Sequence, residues 1–444
     1  MFMMYRLHCL WLGVLLSVGC GSVKDSHLAD APVTGADATT RGTVHVTVLD
    51  PGGTGAPAVG ANVVFLDPDG TLVKRAATDT AGKASADLLP GASVTSIALV
   101  NTTTQLQTVL GVKPGDDIVL GSKSADSAAS GTFTVTYPAF AGAVGYEIAH
   151  PCGPNFVTQP ATGAPPPTTA TLTFNNSCKL DSMEIVVTPT DANSVPLAVI
   201  GKQAVPFVSG GSTAITGTYQ GLRSFTASYT NLNPIIASMF MSRAVPDGNG
   251  ITTSLSVTTP TASQVVNVSG ALGTSARIAS RFTLATRSFQ EIRQTLSGSA
   301  ATYGLDCAAN LLPWINQPSF DAAAGKLLVP LDMTGTSSAK PDVIRVAATY
   351  RRTDTVTGAT TAFSWTLFAP EAGDIALPAL PAEVGNVAPT SADTVTVTAL
   401  MVEIDAIANY DALRNDINGL IAQFGGTRSP AGTIRLSSSP LGLR

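Results

Sequence analysis

Charge is scarce in this chain: Asp, Glu, Lys and Arg make up 12% of its 444 residues, about half of what soluble domains usually carry. Solvent-facing helices need charged outer faces, so so little charge argues against a helical surface and favours strands of Thr, Ser, Ala and Val. The 25 Lys and Arg against 30 Asp and Glu leave a formal net charge of −5. A basic footprint for a phosphate backbone is missing, and nucleic acid is not an expected partner. Only four histidines and five cysteines occur, with no CxxC spacing and no Cys/His cluster. That pattern gives no reason to expect zinc, thiol redox chemistry or a cofactor. Long apolar runs are lacking too; none approaches the ~20 residues that span a bilayer.

What is present begins at the N-terminus. Arg6 precedes the apolar run Leu10 to Leu16, and small residues follow up to Gly19 and Cys20. This three-part order reads as a signal peptide over residues 1–19, too short to anchor by itself. The stretch Leu16-Ser17-Val18-Gly19-Cys20 resembles the lipobox of bacterial lipoproteins. The resemblance implies a diacylglyceryl thioether and an N-acyl chain on Cys20, and it departs from the family at Ser17, where Leu is favoured. An ordinary secretory signal is the alternative. Gly21, a non-acidic residue after the cysteine, implies transfer to an outer membrane. Each buried CH₂ of the acyl chains would contribute about 0.8 kcal/mol to the hold on the bilayer.

Residues 20–41 are small, polar and without apolar period, as a flexible tether should be. From Gly42 the pattern changes to short alternating runs. Val44, Val46 and Val48 share one strand face, Ala61 to Leu66 forms a second strand, and Asp67-Pro68-Asp69-Gly70 makes a turn in which Pro presets φ and Gly accepts φ > 0. Gly42-Thr-Val-His-Val-Thr-Val, Val59-Gly-Ala-Asn-Val-Val-Phe and Thr78-Asp-Thr-Ala-Gly-Lys-Ala84 resemble bacterial Ig-like and carboxypeptidase regulatory-like (transthyretin-like) domains. Those are non-catalytic β-sandwiches, and the resemblance covers residues 42–121 only. Residues 131–221 read as a second sandwich, whose Thr132 to Tyr137 and Val144 to Ile148 runs faintly resemble a fibronectin-type domain. Residues 222–444 carry further strand runs, among them Val343 to Tyr350, Phe363 to Phe368 and Thr394 to Ile404, that one large sandwich would accommodate. Ile407, Tyr410, Leu413, Ile417, Leu420, Ile421 and Phe424 recur at helical spacing before Gly425-Gly426, which predicts one short C-terminal helix. The expected fold is all-β, a series of tandem β-sandwich domains.

Few residues qualify for chemistry. Cys152 and Cys178 flank one Pro-rich loop and are the natural disulfide pair in an exported protein, contributing ~3 kcal/mol on the chain-entropy view. Cys307 is then a buried free thiol. His27, His45 and His150 lie near no nucleophile motif, which argues against a Ser-His-Asp triad. Asp67 and Asp69 lack the further oxygen ligands of a calcium loop and read as turn residues. Glu403 and Asp405 share a strand face and would suit a carbohydrate-active hydrolase; the competing reading is a β-bulge after Met401 that hands the core face to Leu400, Val402 and Ile404 and turns both carboxylates to water. Trp314, between two prolines, is the candidate platform for a glycan, against packing beneath its own loop. The function this supports is a non-catalytic surface lipoprotein of structural or binding type, partnered by the bilayer through Cys20 and by a surface glycan or protein. Glycan binding is the second reading and glycoside hydrolysis a distant third.

Overall fold

A computed structural model describes residues 40–50, 55–121, 131–150, 156–158, 164–174, 182–206, 208–244, 255–257, 261–270, 275–297, 300–336, 340–353, 358–417 and 432–440. Over these residues the chain is nearly all β. The strands lie where apolar and hydroxyl residues alternate. Gly42–Val48 buries Val44, Val46 and Val48 and leaves Thr43 and His45 exposed, the period of two that a strand imposes. Gly70 closes the Asp67 turn with φ +84°, and its N–H reaches Asp67 O at 2.9 Å. No described helix is long and apolar enough to cross a membrane.

The dominant element is a twelve-stranded sheet. In order across it run Leu255–Val257, Ile236–Ala244, Ser275–Leu284, Phe289–Ser297, Ile434–Ser438, Thr396–Ile404, Val343–Thr353, Thr360–Ala369, Thr103–Val112, Ala92–Val100, Asn62–Leu66 and Leu72–Ala77. Neighbours are antiparallel except at one seam, where Thr103–Val112 lies parallel to Thr360–Ala369 from Ala362↔Thr103 to Phe368↔Val109. The strands of residues 222–444 therefore do not close on themselves: four strands of residues 62–112 continue their sheet.

Smaller sheets cover this one. Gly42–Val48, Lys83–Leu88 and Asp117–Leu120 form a three-stranded sheet, and its Val44, Val46, Ile118 and Leu120 enter one core with Phe65, Val109, Phe368, Val402 and Ile404. On the opposite face, Val64, Leu106, Trp365, Val397, Ala399 and Met401 form a second core. A third lies between the far strands of the large sheet and a layer of Arg223–Thr230, Ser263–Gly270 and Thr302–Asp306. Residues 131–221 form their own pair of sheets around Phe133, Tyr146, Leu172 and Ile185.

Two local expectations are corrected. No bulge interrupts Thr396–Ile404, because its register with Val343–Thr353 and with Ile434–Ser438 is unbroken. The apolar positions change face because the strand has a core on each side: Val397, Ala399 and Met401 face one, Val402 and Ile404 the other. The C-terminal helical segment comprises Tyr410–Leu413, a 3-10 turn at Arg414–Asp416 and a helical Ile417; residues 418–431, which include Leu420, Ile421 and Phe424, lie outside the described residues. It is also not alone. Cys307–Asn310 forms a single turn capped by Asp306, whose carboxylate accepts Ala308 N–H at 3.1 Å, a cap too short to leave an apolar period in the sequence.

Candidate binding groove

Cys20, His27, Cys152 and Cys178 lie outside the described residues. Cys307 is fully buried and free, and burial pushes its thiol up to about 12, which makes it inert as a nucleophile at neutral pH. His45 is exposed in its strand, whereas His150 is buried edge-on to Phe174 with ring centroids 5.1 Å apart. Burial lowers His150 to about 4. The Asp67 turn turns inward: its carboxylate takes Arg41 and the Leu89 N–H, while Asp69 accepts Thr71 N–H at 2.9 Å. No group of three or more His, Cys, Asp or Glu side chains suited to a metal occurs among the described residues.

Trp314 is corrected as a platform. Its side chain is 0% exposed, packed with Phe282, Cys307 and Leu311, so neither ring face is open to a sugar. The prolines around it shape a loop that seals the core. Glu403 and Asp405 do come together, but on a cation: Arg435 Nη1 donates to Glu403 Oε2 and to Asp405 Oδ1, and Nη2 donates to Asn310 Oδ1 at 3.1 Å. Burial pushes Asp405 up, and the hydrogen bonds from Arg435 outweigh it and hold the carboxyl below its ordinary value. General-acid chemistry needs the opposite shift. Beside them Asp342 is buried and accepts Ile404 N–H at 2.8 Å; burial raises it to about 6, with Glu403 and Asp405 adding to the rise.

An open concavity lies elsewhere, at the end of the central strands. It is an open groove of 1340 Å³ whose floor comes from Val343–Thr353 and Thr360–Ala369, with Thr103 on one side and Thr396 on the other. The register sets Arg351 opposite Ala362 and Ala362 opposite Thr103; one row further in, Thr349 stands between Ser364 and Thr396. Paired residues in a ladder share a face, so these side chains stand together, on the side away from buried Tyr350, Phe363 and Trp365. Thr349 and Arg351 are exposed. Hydroxyl groups dominate the lining: Thr103, Thr349, Thr353, Thr361, Thr390, Thr394, Thr396 and Ser364.

The rim is built rigidly. Arg352 Nη2 donates to Asp393 Oδ2 at 2.6 Å and to Ala388 O at 2.8 Å, Nε donates to Asp393 Oδ1 at 3.2 Å, and Nη1 donates to Asn386 O. Asp393 also accepts Thr390 N–H at 2.7 Å, and these bonds, that from Arg352 foremost, hold its carboxyl below the usual range. The Arg352 guanidinium lies 5.4 Å over the Phe363 ring, which itself stacks on Tyr350 at 5.0 Å. Arg352 and Asp393 cancel in charge. Arg351 has no carboxylate partner among the described residues. None of these residues is nominated by the sequence; the available signal is the pair Arg351-Arg352 in a Thr-rich strand of a chain poor in cations.

No protein-family model and no curated protein matches the chain. Among solved structures it is similar to the Bacillus anthracis TIE protein, at 11% identity over 60% of this chain and 50% of that one, with a TM-score of 0.15. It is also similar to a Ca²⁺-stabilised adhesin that helps an Antarctic bacterium reach out and bind ice, at 13% identity over 83% and 96%, TM-score 0.12. A Streptococcal ancillary pilin matches at 10% identity over 60% and 98%, TM-score 0.18. The chain spans half the length of the first of these. At such identities and TM-scores the likenesses have no bearing on ligand or partner.

Proposed function

We propose that this chain is an exported, non-catalytic surface protein of binding or structural type, held to an outer membrane by acyl chains on Cys20 and presenting its β-sheets to the surroundings. The observation that carries the binding role is the groove at Arg351: a hydroxyl-lined concavity on central strands whose Arg351 has no carboxylate partner among the described residues. The alternative of glycoside hydrolysis loses its carboxylates to Arg435. Residues 20–41 serve as the tether, residues 131–221 as a sandwich module, and a Cys152–Cys178 bond staples the loop between those two cysteines.

The test pairs anchoring with attachment. Palmitate labelling of cells expressing the wild type should mark the protein, and Cys20→Ala should abolish the label. Beads coated with the mature chain should adhere to bacterial or host surfaces above uncoated beads. An unlabelled wild type removes the lipid anchor, and beads that adhere nowhere remove the adhesion role. Non-reducing peptide mapping should link Cys152 to Cys178; a Cys152–Cys307 link would defeat the staple.

A further inference from the structure

Over most of their length the strands that floor the groove are paired on both sides, Val343–Thr349 by Thr360–Ala369 and Thr396–Ile404 and Ala362–Phe368 by Val343–Thr353 and Thr103–Val112. An extended peptide gains affinity on a sheet chiefly by pairing with a free edge, and the edges that these strands leave at the groove are short, Tyr350–Thr353 on one side and Thr360–Thr361 on the other. What the groove offers is side-chain hydroxyls, each able to donate and accept, arrayed about 4.8 Å apart across strands and nearly 7 Å apart along them. A ligand that answers such an array must itself carry many hydroxyls. Arg351, exposed and without a carboxylate partner among the described residues, adds a planar fork suited to a carboxylate. Its immediate cationic neighbour, Arg352, is neutralised by Asp393.

We propose that this groove binds a carboxylated polysaccharide, with Arg351 pairing one uronate carboxylate and Thr349, Ser364, Thr396 and Thr103 hydrogen-bonding the flanking sugar hydroxyls. A cation without a carboxylate partner among the described residues, on one sheet face with Thr103, Thr349, Thr353, Ser364 and Thr396, matches a uronate, which carries one carboxylate beside its hydroxyls, better than a densely sulfated sugar, which carries several charges. The inference rests on the surface-binding reading and specifies its ligand.

Titration calorimetry of the full mature chain with polygalacturonate, dextran, heparin and polyglutamate tests it. Polygalacturonate should bind, more weakly as salt is raised, because an exposed pair is screened. Arg351→Gln should weaken that binding at least tenfold with thermal unfolding unchanged, since Arg351 is exposed and has no ion-pair partner among the described residues. Thr349→Val with Ser364→Val should weaken it further, and Arg75→Gln, a change on the distant Leu72–Ala77 edge strand, should leave it as it was. Equal binding by wild type and Arg351→Gln, or tighter binding of dextran, heparin or polyglutamate, would overturn the proposal. If the wild type ignores polygalacturonate while its beads still adhere to surfaces, this proposal falls and the adhesion reading stands; if the beads fail as well, both fall.

Discussion

Trp365 donates its indole N–H to the hydroxyl of Thr108 at 2.9 Å, joining residues 257 positions apart across the single parallel seam of the large sheet. Thr108 in turn shares a hydrogen bond of 2.8 Å with Thr95 on the next strand. All three groups are buried. On the other face of the same seam, Tyr410 donates its hydroxyl to Leu110 O at 2.8 Å and Phe368 O at 3.0 Å. The seam is thus pinned from both sides by side chains as well as by its ladder.

Replacing Thr108 by Val keeps the shape and leaves the Trp365 N–H without an acceptor in a dry core. The expected loss is about 1–3 kcal/mol, read as a lower midpoint in urea unfolding. Trp365→Phe in the Thr108→Val background should add less than it does alone, because the orphaned donor is gone; strict additivity of the two would disprove the bond's role.

Arg414 and Asp116 form a buried bidentate pair, Nε to Oδ2 at 2.5 Å and Nη2 to Oδ1 at 2.8 Å, with both side chains almost fully enclosed. Arg414→Met would strand the Asp116 carboxylate and destabilise by about 3–5 kcal/mol. Adding Asp116→Leu should recover most of that loss. Denaturation of the four variants in parallel decides it, and a double variant no better than Arg414→Met would count against the pair.

Asp342 has a folded value near 6 against 3.8 for the ordinary group. A carboxyl raised on folding contributes stability below its unfolded value, and that contribution is lost as pH rises through about 6. Asp342→Asn, which retains an acceptor for Ile404 N–H, should match the wild type at pH 4 and exceed it at pH 7 by about 1 kcal/mol once solvent screening is allowed for. Melting curves across that range would show two parallel lines if the idea were wrong.

His150, lowered to about 4 from 6.5, runs the other way. Its neutral form is favoured by folding, so stability present above pH 6.5 declines as pH falls toward 4. Proton NMR of the imidazole should show no charging at pH 6 and a midpoint near 4; a midpoint above 6 would mean that the ring is solvated.

Trp314 and Trp365 are the tryptophans beyond residue 19, and both are 0% exposed. The mature chain should emit at short wavelength, resist acrylamide quenching and show no spectral change on adding any of the glycans above. A red-shifted, quenchable band would restore Trp314 as a surface platform.

Much of the strand map is legible in the sequence. Thr396–Ile404, Val343–Thr353 and Thr360–Ala369 coincide closely with runs recognisable by alternation, and the Asp67 to Gly70 turn follows from Pro and Gly chemistry. Phe289–Ser297 is not legible, because Gln290, Glu291 and Ile292 are consecutive and all buried. Their burial depends on distant partners: Gln290 reaches Leu312 O at 2.6 Å, and Glu291 takes Arg281 at 2.6 Å and Arg293 at 2.5 Å. Trp314 and the Glu403–Asp405 pair were readable as residue types, and their roles were decided by what folds against them.

By itself the sequence determined the class: scarce charge, abundant hydroxyl and β-branched residues and period-two alternation admit little besides sheets, since those are local consequences of backbone and side-chain sterics. Only the tertiary structure decided that Thr103–Val112 would meet Thr360–Ala369, that Arg435 would hold both carboxylates, and that Arg351 would stand beside Thr349, Ser364 and Thr396. Strand pairing joins residues hundreds of positions apart, and nothing in a strand's own alternation names its neighbour.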